Sequence, residues 1–164
     1  MAGTPLDSLT SGIDDSALAH SLRDSLWLFP AVETLHILGF VVLVGAAAMF
    51  DLRLLGLSRR IPVDDLARHL LPWSAGALLV VIPTGLTLFT SDAVAYVGNR
   101  AFATKLCLIF LAGCNAAAFH AGVYRSVAAW RLHTPAPAAA KAHAIVSLLL
   151  WASVIACGRM IAFV

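Results

Sequence analysis

The chain has 164 residues, of which 60% are hydrophobic and only 12% charged, with a mean hydropathy of +0.88. That is too apolar for a soluble domain of this size, so the composition specifies an integral membrane protein with no length left for a sizeable soluble domain. A formal net charge of +2 is too small to argue for a nucleic-acid partner.

The N-terminus lacks the basic start and early apolar stretch of a cleavable signal, so the first apolar run is expected to stay in the mature protein. Residues 1–26 are polar but patterned. Leu6, Leu9, Ile13, Leu18, Leu22 and Leu26 recur at helical intervals, with Asp14, Asp15, Arg23 and Asp24 elsewhere around the wheel. This pattern suits a short amphipathic segment on a membrane surface, and equally a partly ordered leader.

Residues 27–164 read as a four-helix transmembrane domain. The spacing predicts spans at about 30–50, 70–89, 102–123 and 144–163, each close to the length that crosses about 30 Å of hydrocarbon. Pro30 suits the first turn of the first span, and Pro83 with Gly85 predicts a kink in the second whose freed carbonyl Thr84 or Thr87 would help satisfy. The link DLRLLGLSRRIPVDDLAR is too charged for lipid, SDAVAYVGNRA forms a polar turn, and HTPAPAAAKA precedes the last span. Links this short make neighbouring helices antiparallel, which gives an all-α up-down bundle with spans one and three diagonal, and two and four likewise.

Arg53, Arg59, Arg60 and Arg68 fall in or beside the first link and Arg125, Arg131 and Lys141 in the third, against Arg23 and Arg100 on the opposite side. Basic residues accumulate on the cytoplasmic face, so both termini are expected outside, in the periplasm if the cell is a Gram-negative bacterium and the membrane its inner one.

Arg159 carries the most information about function, because a guanidinium stays charged and is costly in hydrocarbon. Counting from span midpoints puts His36 and Arg159 roughly 6 to 8 Å, and Glu33 and Lys105 roughly 10 to 12 Å, toward the outer face. Glu33 and His36 share one helix face, so an acid, an imidazole and two bases would converge in one polar layer. The same layer also suits an ion-pair network that only fixes helix register.

His120 lies near the inner end of the third span beside Gly113, Ala116 and Ala117, small residues that permit either close helix approach or room for a flat cofactor. Asn115 is expected to bond another helix. His69 and His143 begin the second and fourth spans at matching depth and form a possible diagonal pair, or simply interfacial histidines, while His20 and His133 have no evident partner. Cys107, Cys114 and Cys157 show no paired spacing and are read as small buried hydrophobes.

Several histidines in a bundle raise b-type haem, with His36 and His120 as the metal ligands and Lys105 and Arg159 as propionate partners. The obstacle is depth, since simple counting separates the two imidazoles by roughly 12 to 16 Å.

The stretches ETLHILGFVVLVGAAAMFDLRLLGL, LPWSAGALLVVIPTGLTLF, NRAFATKLCLIFLAGCNAAAFH and LWASVIACGRMIAF resemble a family of small bacterial four-helix membrane proteins of unknown function. The resemblance covers nearly the whole chain after residue 25. It implies a four-helix membrane fold in which Glu33, His36, Asp51, Arg53, Lys105, Asn115, His120 and Arg159 match the family's polar pattern, with His69 and His143 outside it. The GRMIAF ending is also similar to that of copper-resistance D type membrane proteins.

The expected function is to hold a cofactor, b-type haem or a quinone, for electron transfer to a periplasmic or membrane redox partner, with Glu33, His36, Lys105, Asn115, His120 and Arg159 as the binding residues. The alternatives are copper handling through His36 and Glu33, or a structural subunit of a membrane complex or homo-oligomer. No hydrolytic triad or zinc-protease helix motif is present, so no independent catalysis is expected.

Overall fold

The computed structural model describes residues 5–130, 132 and 134–163, with side chains from Ser8 onward. Arg131 and His133, and the side chain of Leu6, lie outside them. Two short helices, α1 (Pro5–Asp14) and α2 (Ala17–Asp24), lead into α3 (Leu28–Leu55) and α4 (Val63–Phe89). A small α5 (Ala93–Gly98) then precedes α6 (Arg100–Ala121), a 3-10 turn over Val123–Ala129, and α7 (Ala138–Met160).

Four helices, α3, α4, α6 and α7, are long and apolar enough to cross a membrane. Only 11% to 22% of each one's most apolar window is buried inside the protein, so most of their side chains face outward, where lipid must cover them. The protein is thus a multi-pass membrane protein, built as the expected up-down bundle. Backbone packing joins α3 to α4, α3 to α7 and α6 to α7.

Three helices extend beyond their apolar spans. α3 runs on through Asp51 and Arg53, α4 begins at Val63 rather than Leu70, and α7 at Ala138 rather than Ala144. Hydropathy marks where hydrocarbon ends, whereas a helix continues until its backbone is capped. Asp64 and Asp65 in the first turn of α4 suit its positive dipole end. Gly56 stops α3 with φ +111, a conformation that side chains disfavour, and the amides of Gly56 and Leu57 close on the carbonyls of Arg53 and Leu52.

The leading segment is docked. Ala19 and Leu22 of α2 are fully buried, and the Asp14 carboxylate accepts the backbone N–H of Ala93 at 2.5 Å and of Val94 at 3.4 Å, capping α5. Arg23 donates to the carbonyls of Ser91, at 2.9 Å, and Asp14. Leu9, Leu18, Leu26 and Trp27 stay exposed, an apolar surface suited to the membrane interface.

Two ends of the bundle can be distinguished. The terminal end carries α1, α2, α5 and the finish of α7; the link end carries residues 56–62, 122–130 and 134–137. The main buried apolar cluster lies at the link end, where Leu54, Val63, Phe119, Trp130 and Ala140 pack with Tyr124 and Val127 of the 3-10 turn.

Candidate ligand cavity

Helical periodicity places one stripe from each long helix around a common interior space. Leu43, Ala47, Phe50, Asp51 and Leu54 come from α3; Ala67, Leu70, Leu71, Ser74 and Leu78 from α4. Ile109, Gly113, Ala116 and His120 follow one face of α6, and His143, Ser147 and Trp151 one face of α7. The cavity they enclose measures about 310 Å³, within the size range of small-molecule sites, and lies in the half of the bundle nearer the link end.

Its wall is apolar except for a few convergent polar groups. Asp51 is only 6% exposed; Ser147 hydrogen-bonds its carboxylate, while Oδ2 is buried without a partner. His120 Nδ1 lies 2.9 Å from the Ala116 carbonyl. A carbonyl can only accept, so Nδ1 carries the proton and the neutral ring leaves a lone pair on Nε2. That Nε2 is also buried without a partner. Buried polar atoms are nearly always satisfied, so two orphans in one cavity wall mark a site built for something that hydrogen-bonds.

Asn115 and His143 brace the same wall. Asn115 Nδ2 donates to the His143 carbonyl at 3.0 Å, and His143 Nδ1 donates to Asn115 Oδ1 at 2.7 Å. Asn115 therefore bonds a second helix as expected. The imidazoles of His120 and His143 both meet the Phe119 ring edge-on, at 5.2 and 5.8 Å between centroids.

His36 belongs elsewhere. Its Nδ1 is 3.0 Å from Thr84 Oγ1, and that hydroxyl already donates to the Val80 carbonyl at 2.7 Å, so His36 Nδ1–H donates to Thr84. Thr84 and Thr87 bond the carbonyls of Val80, Val81 and Pro83, beside the Leu79 carbonyl that the missing Pro83 N–H leaves without its usual donor. A Cβ on Gly85 would come within 3.0 Å of the His36 ring, and one on Gly39 within 2.9 Å of Val81; these glycines let α3 and α4 close on each other.

Glu33, His36, Lys105 and Arg159, expected as one polar layer, are not joined to one another by the hydrogen bonds and salt bridges found among the described residues. Lys105 and Glu33 act on His36 only through space, with the Lys105 ammonium 3.8 Å from the Cβ position of Gly158. Glu33 and Arg159 are exposed, and neither takes part in the salt bridges that Arg68 makes with Asp64 and Asp65. Arg159 lies 4.9 Å over the Phe163 ring. Helix α7 ends at Met160, so Arg159 falls in its last turn, where an outward-facing cation suits the dipole and can reach the membrane surface.

His36 and His120 do not share the cavity either, since His120 lines it and His36 does not. The two are therefore not brought together as a haem-ligand pair, in keeping with their separation in depth. His69 is exposed and His143 is committed to Asn115, so that diagonal pair is not formed. His20 is exposed, as are Cys107 and Cys114, which face away from the interior rather than into it. Ser147 was not singled out in the sequence, and Asp51, although the resemblance put it in the family's polar pattern, was not among the expected binding residues. Asp51 stands at the head of DLRLLG and reads as the start of an aqueous link; the signal that could have found it is its spacing after Leu43 and Ala47, one helical face carried into the polar stretch.

At the terminal end, Phe89 of α4 stacks on Phe102 of α6 at 5.7 Å, and Tyr96 packs on both. Burial pushes the Tyr96 phenol above its ordinary pKa; a hydrogen bond with Ser91 opposes this, and the nearby charges of Asp92 and Glu33 reinforce it.

A family profile for a family of unknown function, DUF6644, matches residues 29–164, the whole bundle and cavity. The chain belongs to this family. No curated protein and no solved structure matches it significantly. The expected membership of an uncharacterised family is thus established, while the likeness of GRMIAF to copper-resistance D proteins finds no counterpart in these matches.

Proposed function

We propose that this DUF6644 protein binds a lipid-soluble ring bearing hydroxyl or carbonyl oxygens, of the quinone class, inside its helix bundle, as part of membrane electron transfer with a separate redox partner. One observation carries the reading: Asp51 Oδ2 and His120 Nε2 are unpartnered, buried, and set in the wall of one apolar cavity. His120 Nε2 accepts, which suits the hydroxyl of a hydroquinone; Asp51 accepts when ionised and donates when protonated, which suits either form of such a ring. Apolar walls with a few fixed polar groups are the general build of small-molecule sites. His143 and Asn115 brace each other and hold the wall in shape. Among the described residues no three His, Cys, Asp or Glu side chains gather, so the copper alternative has no ligand set to rest on.

The basic residues of the link end support an orientation in the bacterial inner membrane with both termini outside, which puts the cavity in the cytoplasmic half.

The test is organic extraction of the purified protein with identification of the extract by mass spectrometry, alongside a visible spectrum. Quinone is expected in a defined ratio to protein; Asp51→Asn should lower occupancy about tenfold or more, since a hydrogen bond to a charged group is worth about 1.5–3 kcal/mol, and His120→Phe several-fold, since a neutral one is worth about 0.5–1.5 kcal/mol. A folded protein that carries no quinone and takes none up from quinone-loaded vesicles overturns the reading; a Soret band that shifts on reduction replaces it with haem.

A further inference from the structure

The helices around the cavity do not close equally. Close backbone packing holds α3 against α4, α3 against α7 and α6 against α7, while α4 and α6, the remaining neighbours, have no comparable packing among the described residues. Their seam is shut at the terminal end by the Phe89, Tyr96 and Phe102 rings. At the link end, the 3-10 turn packs across α4, α6 and α7. The cavity lies between these two closures. Leu71, Leu78 and Ile109 line it and are also 46%, 42% and 37% exposed, so the same side chains border the interior and the outer surface of the bundle.

From this geometry we infer that the cavity opens sideways into the bilayer between α4 and α6, and that its ligand is a tailed lipid whose ring sits at Asp51 and His120 while its apolar tail leaves through the seam. The inference rests on the ligand reading above and deepens it. Both ways to water are covered, one by the aromatic stack and one by the buried cluster under the 3-10 turn, so a ligand that partitions into lipid has the direct route. A polar solute would have to shed its hydration in the hydrocarbon first. Gly113 of α6 lines the cavity and is exposed, and a Cβ there would meet nothing within 4 Å, which leaves room for a passing chain.

The experiment uses the full chain in phospholipid vesicles and a benzoquinone with a decyl tail ending in a photoreactive diazirine. Adducts are expected within residues 70–78 and 109–116, displaced by excess untagged quinone and reduced about tenfold in Asp51→Asn. Gly113→Phe, whose Cβ fits and whose ring fills the seam, should reduce them similarly. Gly76→Phe, on an exposed part of α4 with equal room for its Cβ and outside the cavity lining, should leave them unchanged. Displaceable, Asp51-dependent adducts confined to the outer faces of α3 or α7 overturn the route and leave the ligand standing. Adducts at the seam that quinone does not displace mark an ordinary acyl chain and overturn the ligand, and the absence of saturable labelling overturns both.

Discussion

Arg53 and Arg159 are the same side chain in opposite situations. Arg53 is 4% exposed and donates through Nε to the Ile61 carbonyl at 2.7 Å and through Nη2 to that of Arg59 at 3.3 Å, fastening the first link back onto α3. Arg159 is exposed over Phe163 and supports nothing inside the bundle. The planar fork of a guanidinium reaches two carbonyls at once, which an ammonium at the end of a lysine cannot reproduce. Arg53→Lys is therefore expected to cost about 1.5–3 kcal/mol, the worth of charge-assisted hydrogen bonds, read as a lower unfolding midpoint in detergent. Arg159→Lys should leave that midpoint within about 0.5 kcal/mol of the parent, as exposed substitutions usually do. Equal losses in the two variants would contradict this assignment of structural weight.

Among the elements, the small helix α5 depends most on its neighbours. Six residues do not sustain a helix in water, and this one is held by a double cap, Asp92 on the amide of Ala95 and Asp14 on those of Ala93 and Val94. Asp14→Ala removes the cap that comes from outside the element. The expected result is faster amide exchange at Ala93 and Val94 and loosening of the leading segment, with a loss of about 1 kcal/mol, typical for an N-cap. Exchange unchanged there would mean that apolar packing of Ala19 and Leu22 holds the leader by itself. The same element explains a difference from the sequence reading: residues 1–26 scan as a surface segment because their apolar stripe is visible, but their docking partner lies far along the chain and has no local signature.

For the whole molecule, orientation is the property that all four long helices share. The short links tie their directions together, so one measurement on each side defines the arrangement. In a variant with Cys107, Cys114 and Cys157 replaced by Ala, a single cysteine at Gly98 should react with a membrane-impermeant maleimide on intact cells. One at Ser58 should react only after permeabilisation. The reverse result would turn the bundle over and move the cavity to the opposite leaflet.

Length, apolar runs and link positions determined the membrane class, the four spans and their antiparallel order, because each span must satisfy its own backbone in lipid and can do so only as a helix. Asn115 was also legible, since an amide in an apolar span needs a partner on another helix. The convergence of polar residues was not. Counting depth places a residue along its helix and leaves open which way it faces, and in α7 Arg159 stands in the last turn and faces outward. Which polar atoms end up buried and unanswered depends on helix rotation, on the close fit of α3 and α4 at Gly39 and Gly85, and on the unclosed seam between α4 and α6. Those are properties of packing between segments distant in sequence, so only the tertiary structure could bring Asp51 and His120 into one wall.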